Sequence, residues 1–427
     1  MKKVALETLG CKLNQAETES LAKQLLSGGY QLAESPEEAD VYVLNTCTVT
    51  HIADRKARHL LRSARRSNSE ALIIAIGCYA QQAPLELRQL GIVDLTLDNK
   101  EKNHLVEILE GKLGNTGNKG NPNNGRRSRA RSFVKIQEGC DDFCSFCIVP
   151  YTRGREHSIP QEDVLSEVRA RSVSGYKEVT LTGTKIGAYR QNGKNSAGLP
   201  SLIEAILKEK GLERLRLSSL QPQDLTPELV NLWTDRRLCP HLHIPLQSGC
   251  QTTLEMMRRG YSVDDYERAI SFVREAIPNL AITTDIIVGF PGEGEKEFEE
   301  SYSLCEKMGF ANIHVFPYSS RLGTEAVHMP HQLDESIKKL RSQRMLALAK
   351  RSAQQFKERF LGQTMPVLWE RKSEQGIWSG LTDNYLRVFT RSGEDLTNRL
   401  LPAKLAAKHA QGLLGDIINK EGKWVIF

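Results

Sequence analysis

Three cysteines within eight residues, Cys140-Asp141-Asp142-Phe143-Cys144-Ser145-Phe146-Cys147, constrain this chain more than any other stretch of it. The spacing is C-x3-C-x2-C, with an aromatic residue just before the last thiol, and the next cysteine is Cys239. Iron–sulfur clusters ordinarily take four thiolates. Three thiolates on a cubane leave one iron open to a small chelating ligand. A structural zinc site is closed by four ligands, commonly with C-x2-C pairs. Here only Cys144 and Cys147 form such a pair, and zinc stands as the plainer alternative.

The rest of the composition sets wide bounds. A chain of 427 residues has room for two or three domains. It has no apolar run long enough to cross a bilayer, and Met1-Lys2-Lys3-Val4-Ala5-Leu6-Glu7 lacks the apolar core of a signal peptide. The expectation is a cytoplasmic protein with no membrane partner. Nine cysteines in a reducing compartment read as metal ligands or free thiols before disulfides. The net charge of +6 permits an anionic partner without requiring one.

Periodicity divides the chain into an α/β multidomain protein. Over residues 1–110, apolar strands at 4–8, 41–45, 72–76 and 93–96 alternate with amphipathic helices at 16–27, 54–67, 84–90 and 102–109. That alternation predicts a parallel α/β sheet domain. Residues 111–132 break the pattern with a run of Gly, Asn and Pro followed by arginines, and read as a flexible basic linker. Residues 133–361 carry six further strands, at 133–137, 178–182, 214–217, 241–246, 282–288 and 313–317, with helical patterns between them. Six β/α units predict a partial (β/α)6 barrel, closed by a long basic segment near 334–360. Residues 362–427 hold short strand-like runs at 365–368, 385–389 and 424–427 and predict a small all-β module, which the family likeness described below makes a TRAM-like barrel.

In a β/α barrel, reactive groups sit on the loops after the strand C-termini. The distinctive short motifs fall at those points: the cysteine loop, Gly183-Thr184-Lys185, Ser218-Ser219, Gln247-Ser248-Gly249, Gly289-Phe290-Pro291-Gly292-Glu293 and Tyr318-Ser319-Ser320-Arg321. Any one of them could be ordinary turn chemistry. The C-x3-C-x2-C spacing resembles the cluster loop of radical S-adenosylmethionine (SAM) enzymes. That resemblance implies a 4Fe–4S cluster on Cys140, Cys144 and Cys147, with SAM chelating the open iron. Gly183, Ser218, Ser219, Gln247, Ser248 and Gly289 are then the expected SAM contacts, small or polar enough for the cofactor to lie against the backbone.

Cys11, Cys47 and Cys78 each follow a predicted strand of the first domain. Ligands of open α/β sheets gather beyond strand C-termini, so three thiols at one sheet edge can converge on one centre. Three buried free cysteines are the bland alternative. The words around them, Thr8-Leu9-Gly10-Cys11-Lys12-Leu13-Asn14-Gln15, Asn45-Thr46-Cys47-Thr48-Val49-Thr50 and Gly77-Cys78, resemble the radical-SAM methylthiotransferases. The likeness continues through Gln137-Glu138-Gly139-Cys140 and Val149-Pro150-Tyr151-Thr152-Arg153-Gly154-Arg155-Glu156, and ends in a segment like an RNA-gripping TRAM domain. It implies a second 4Fe–4S cluster on Cys11, Cys47 and Cys78, a tRNA substrate, and electron and sulfur donors of unknown identity.

The wording near Cys11 and Cys47 resembles the branch that methylthiolates N6-threonylcarbamoyladenosine beside the tRNA anticodon. The branches acting on isopentenyladenosine or on a ribosomal-protein aspartate are the alternatives, and a non-catalytic metal-containing RNA binder is the reading from another class. Arg126, Arg127, Arg129 and Arg131, with Arg55, Lys56, Arg58, Arg62, Arg65 and Arg66, are positioned to meet phosphates, although charge runs are often merely solvated. His241 and His243 alternate along a strand and could share one face; without a ligand-like partner motif they read as core or mouth packing before metal binding, and Asp285 as a structural hydrogen-bonding group. Cys239, Cys250 and Cys305 read as free thiols, and Glu293 receives no role.

Overall fold

Val41-Tyr42-Val43-Leu44-Asn45-Thr46 and Leu72-Ile73-Ile74-Ala75-Ile76-Gly77 are near-continuous apolar runs, the signature of parallel strands covered on both faces. The computed structural model, which describes residues 2–114, 130–190 and 198–418, places both at the centre of a parallel sheet. Its order is β2-β1-β3-β4-β5, with β1 Lys3–Thr8, β2 Gln31–Leu32, β3 Val41–Thr46, β4 Leu72–Gly77 and β5 Leu95–Leu97. The two-residue edge strand β2 has no sequence signal. Helices α1 (Lys12–Ser27), α2 (His51–Ser67), α3 (Cys78–Gln82), α4 (Pro84–Gln89) and α5 (Leu105–Leu113) connect and follow the strands. In α2, Ala57, Leu61 and Ala64 make one buried stripe, and the Thr50 hydroxyl caps the first turn by accepting from the Ala53 N–H.

The expected linker is shorter than 111–132. Residues 111–113 complete α5, which ends at Gly114 in a positive-φ conformation (φ +82°), and Arg131 and Ser132 begin β6 (Arg131–Lys135). Residues 115–129, including Arg126, Arg127 and Arg129, lie outside the described residues.

Two compact units emerge. One comprises Met1–Arg127, Glu138–Glu156 and Ser319–Val327; the other comprises Ser128–Gln137, His157–Tyr318 and His328–Phe427. Short strands β7 (Gln137–Glu138) and β8 (His157–Ser158) and helix α6 (Val149–Arg153) bracket the cysteine loop in sequence.

The second unit holds β6, β9 (Glu178–Thr182), β10 (Arg214–Leu217), β11 (His241–His243), β12 (Ala281–Val288) and β13 (Asn312–Pro317). They form two parallel three-stranded sheets, β10-β9-β6 and β11-β12-β13, joined by parallel bridges Leu215↔Leu238 and Ser219↔His243. This is the open six-stranded barrel that the alternating pattern predicts. β11 stops at His243, before the expected residue 246. Pro245 has no N–H to donate, and the Leu246 N–H turns to the Thr284 hydroxyl (2.9 Å). Helices α7 (Gln161–Val173), α8 (Leu199–Lys208), α9 (Pro227–Val230), α10 (Gln251–Met256), α11 (Val263–Ala276), α12 (Glu295–Met308) and α13 (Glu335–Glu358) accompany the strands. Met345, Leu348 and Ala349 of α13 are buried in the barrel's core.

After α13 come β14 (Thr364–Lys372), β15 (Ile377–Thr382), β16 (Arg387–Arg391), β17 (Leu400–His409) and β18 (Gly412–Ile417), a closed five-stranded barrel ordered β14-β15-β16-β18-β17. Closure leaves no unpaired strand edge. The run at 424–427 lies outside the described residues, and Tyr385 (φ +72°) belongs to the turn before β16. This small barrel covers the N-terminal ends of the large barrel's strands. Arg214 donates to the Leu381 and Pro366 carbonyls (3.0 and 2.6 Å), and Tyr385 stacks on His241 with ring centroids 4.7 Å apart. His241 is thus the packing residue expected of it. Among the described residues no helix is long and apolar enough to cross a membrane.

Candidate metal centres and the barrel mouth

Cys11 precedes α1, Cys47 follows β3 and Cys78 opens α3, so all three stand beyond the C-terminal ends of neighbouring strands, as expected. Glycine makes the convergence possible. Gly10 has φ +121°, and a Cβ there would lie 2.7 Å from the Cys47 Cβ. Asn14 ties the loops together, donating to the Leu9 and Thr46 carbonyls (2.9 and 3.0 Å) while its Oδ1 faces the Cys11 thiol at 3.7 Å. Burial pushes the Cys47 thiol up to about 12 and raises Cys11 as well; Cys78 raises both further, and Arg153 opposes the rise. A cationic centre here would convert thiols to thiolates, against the burial that holds Cys11 and Cys47 protonated.

Behind them lies a charge network that has no counterpart among the sequence expectations. Arg153 donates to Glu17 (2.6 Å), Glu138 (2.8 Å) and Asn14 (2.5 Å), and Lys102 pairs with Glu17 at 2.8 Å. Arg153, Glu17 and Lys102 are buried to within 4% of full coverage. Two cations and two carboxylates balance locally, which is what makes such burial tolerable.

Cys140, Cys144 and Cys147 belong to the same compact unit as the first trio. Their loop is pinned from both ends. The Cys140 N–H donates to the Gly154 carbonyl (3.1 Å), and the Cys147 N–H to the Cys144 carbonyl (3.0 Å). Gly139 (φ +77°) has no room for a side chain, since a Cβ would fall 1.9 Å from the Arg155 carbonyl oxygen. The Arg155 guanidinium lies over the Phe143 ring at 4.8 Å, and Phe143 meets Tyr151 edge-on at 5.8 Å.

The six expected SAM contacts all fall at strand C-terminal ends of the barrel unit, but they differ in what their side chains do. The Ser218 hydroxyl is buried without a hydrogen-bond partner among the described residues, and so is the Thr184 hydroxyl on the neighbouring loop. Ser219 bridges to His243. Gly183 is a packing position: a Cβ would meet the Gln137 carbonyl at 2.7 Å. Gln247 takes a positive φ (+68°) and exchanges backbone bonds with Asp285 and Ile287. The Ser248 hydroxyl is fully buried, 3.0 Å from that of Ser301 on α12, and accepts from the Cys250 N–H. Gly289 (φ +74°) packs under Lys338, and its N–H donates to Glu293, which also accepts from Arg341 (2.8 Å each). Glu293 therefore fixes the turn. Cys239, Cys250 and Cys305 are buried free thiols, as expected.

On α2, Arg58 is held by Tyr79 and Glu86, and Arg65 by Asp94. Arg55, Lys56, Arg62 and Arg66 remain exposed, and Arg55, Lys56 and His59 line a groove with Leu9 and Leu60. Arg131 pairs with Glu370 at 2.5 Å and is withdrawn from the basic set.

Open six-stranded parallel barrels carrying thiols of this spacing define a class of enzyme, and residues 134–305 match the Radical SAM superfamily. The fold is similar to that of the radical S-adenosylmethionine methyltransferase TsrM from Kitasatospora setae (TM-score 0.55, 15% identity, 77% of each chain). It is also similar to the cobalamin-dependent S-adenosylmethionine radical enzyme OxsB (TM-score 0.51, 13% identity, 83% of this chain and 56% of that one). Residues 3–98 match a family described as Uncharacterized protein family UPF0004. Over nearly its whole length the chain is similar to the threonylcarbamoyladenosine tRNA methylthiotransferases MtaB of Bacillus subtilis (35% identity, 95% of this chain, 94% of that one) and Aquifex aeolicus (38%, 90% and 96%). It is 34% identical to the tRNA-2-methylthio-N(6)-dimethylallyladenosine synthase of Syntrophotalea carbinolica (97% of this chain, 100% of that one). The chain belongs to the radical-SAM methylthiotransferase family.

Proposed function

We propose that this enzyme methylthiolates N6-threonylcarbamoyladenosine in tRNA, working in the cytoplasm where its substrate is. The observation that carries the reading is the gathering of Cys11 and Cys47 around Gly10 and Asn14, with Cys78 close enough to act on both thiols, a second three-thiol set in the same compact unit as the C-x3-C-x2-C loop. The choice of base rests on the words around Cys11 and Cys47 and on the relatives named MtaB, at 35–38% identity against 32–34% for those named for dimethylallyladenosine.

In this reading Cys140, Cys144 and Cys147 would hold one 4Fe–4S cluster, the one that works with SAM, and Cys11, Cys47 and Cys78 would hold the other. The donor sets fit, being soft thiolates of the kind iron–sulfur clusters use. When bound, these groups supply one-electron cleavage of SAM, hydrogen abstraction from an unreactive carbon, and sulfur for insertion. The chain's own part is positional. Asn14 and Gly10 bring the first trio together, and Arg153 sets a buried positive charge beside it. The orphan hydroxyls of Ser218 and Thr184 are donors for a polar ligand at the barrel mouth, since buried hydroxyls rarely stay unpaired. Arg55, Lys56, Arg62, Arg66 and the cations of the small barrel meet tRNA phosphates.

Anaerobic reconstitution followed by nucleoside mass spectrometry tests the reading. About eight irons per chain and a 2-methylthio-N6-threonylcarbamoyladenosine product are expected. The isopentenyl product, or modification of a ribosomal-protein aspartate, would move the enzyme to another branch. Bound zinc without SAM cleavage would make it a non-catalytic RNA binder.

A further inference from the structure

We propose that His243, Asp285 and His314 form a mononuclear divalent-metal site on the inner face of the open barrel, built without any cysteine. The strands carrying them are adjacent and parallel, in a register that pairs His243 with Thr283 and Asp285 with His314. On β12 the Thr284 hydroxyl donates to the Ile244 carbonyl (2.8 Å) and lies 3.3 Å from the hydroxyl of Tyr266 on α11, so Thr284 faces the helical layer. Alternation then turns Thr283 and Asp285 to the opposite, inner face.

The three ligand atoms, one nitrogen from each imidazole and one carboxylate oxygen, all lie within 4.8 Å of one another. Nε2 of His243 stands 3.2 Å from Oδ2 of Asp285, a spacing two ligands of one ion adopt at metal–ligand distances of about 2.0–2.2 Å. The His314 ring is exposed and centred 5.7 Å from that of His243. The supporting contact is present too. Nδ1 of His243 lies 2.9 Å from the Thr283 hydroxyl, the kind of partner that fixes the ring and aims the other nitrogen at a metal. Two imidazoles and one carboxylate on one face suit Zn2+, Fe2+ or Mn2+ and leave coordination positions open for oxygen ligands.

The probe is Mn2+, which nitrogen and oxygen donors accept and soft thiolates do not favour. Full-length, cluster-loaded protein is freed of loosely held metal with a chelator and titrated anaerobically, with free Mn2+ followed by its electron paramagnetic resonance signal. Saturable binding is expected in the wild type and is lost in Asp285→Asn and in His314→Gln. The latter changes an exposed side chain, and unchanged cluster iron reports that it folds. Thr283→Val weakens binding by about 10–100-fold. A free Mn2+ signal that wild-type protein leaves undiminished, or equal binding by the wild type and by folded Asp285→Asn and His314→Gln, would overturn the site and leave a hydrogen-bonded cluster only.

Discussion

Arg216 donates two hydrogen bonds to Glu178, Nε to Oε1 at 2.8 Å and Nη2 to Oε2 at 3.0 Å, and neither side chain reaches solvent. The same guanidinium donates to the Asp383 carbonyl (2.8 Å) and lies 4.5 Å from the centre of the Tyr385 ring. A buried pair at the base of the large barrel is therefore completed by the small one.

Burial pushes the Glu178 carboxyl up, and the charges of Arg216, Arg214 and Arg131 outweigh it, leaving a value of about 2 against an ordinary 4.5. A depressed carboxyl contributes stability that is complete above its unfolded value and lost as pH falls through its folded one. Thermal melts should thus drop as pH is lowered from about 4.5 toward 2. Glu178→Gln should melt lower at neutral pH and show a shallower decline across that window; parallel curves for the two proteins would refute the coupling.

Removing residues 362–427 should destabilise the large barrel, because Arg216 and Arg214 lose carbonyl partners and Tyr385 is stripped from His241. The RNA role of the small barrel is better tested by point changes at exposed Arg371, Lys372, Arg387, Arg391 and Lys404. Each phosphate contact removed should lower the salt slope of tRNA binding by about 1 with an unchanged melting temperature. Unaltered slopes in all five variants would exclude that surface.

Arg153→Met removes the buried guanidinium that Glu17 and Glu138 share. We expect a loss of about 3–5 kcal/mol in denaturant unfolding of the apo-protein, and less iron retained at the first trio after reconstitution. Wild-type stability would mean that the network relaxes freely.

Replacing Cys11, Cys47 and Cys78 together with alanine should remove about half the iron and stop sulfur insertion, while SAM cleavage without tRNA continues. Cys140→Ala, Cys144→Ala or Cys147→Ala should each end that cleavage. Iron analysis and 5′-deoxyadenosine assays separate the two sets, and a triple variant with full iron content would return the first three to packing residues.

Much of this was legible in the sequence, for identifiable reasons. Buried parallel strands are long apolar words, so β3, β4 and β12 stand out, and a cysteine after such a word lands at a sheet's C-terminal edge. What stayed hidden depends on partners distant in sequence. The Ser248 hydroxyl pairs with that of Ser301, 53 residues on, a contact no local pattern announces. Arg153 lies inside a family motif, yet its partners Glu17 and Glu138 are 136 and 15 residues away. His314 is a lone histidine in a short strand and gains significance only from the register of β11, β12 and β13.

The unit that carries both cysteine trios is stitched from three separated stretches, the last being Ser319–Val327, where Arg321 forms a buried ion pair with Asp54 (2.7 Å). A ribosome delivers that arginine only after three-quarters of the chain has been made. Until then Asp54 lacks its arginine, and before residue 153 emerges Glu17 lacks its own. The unit's buried ion pairs therefore close in the order in which these stretches leave the exit tunnel, that of Arg153 before that of Arg321.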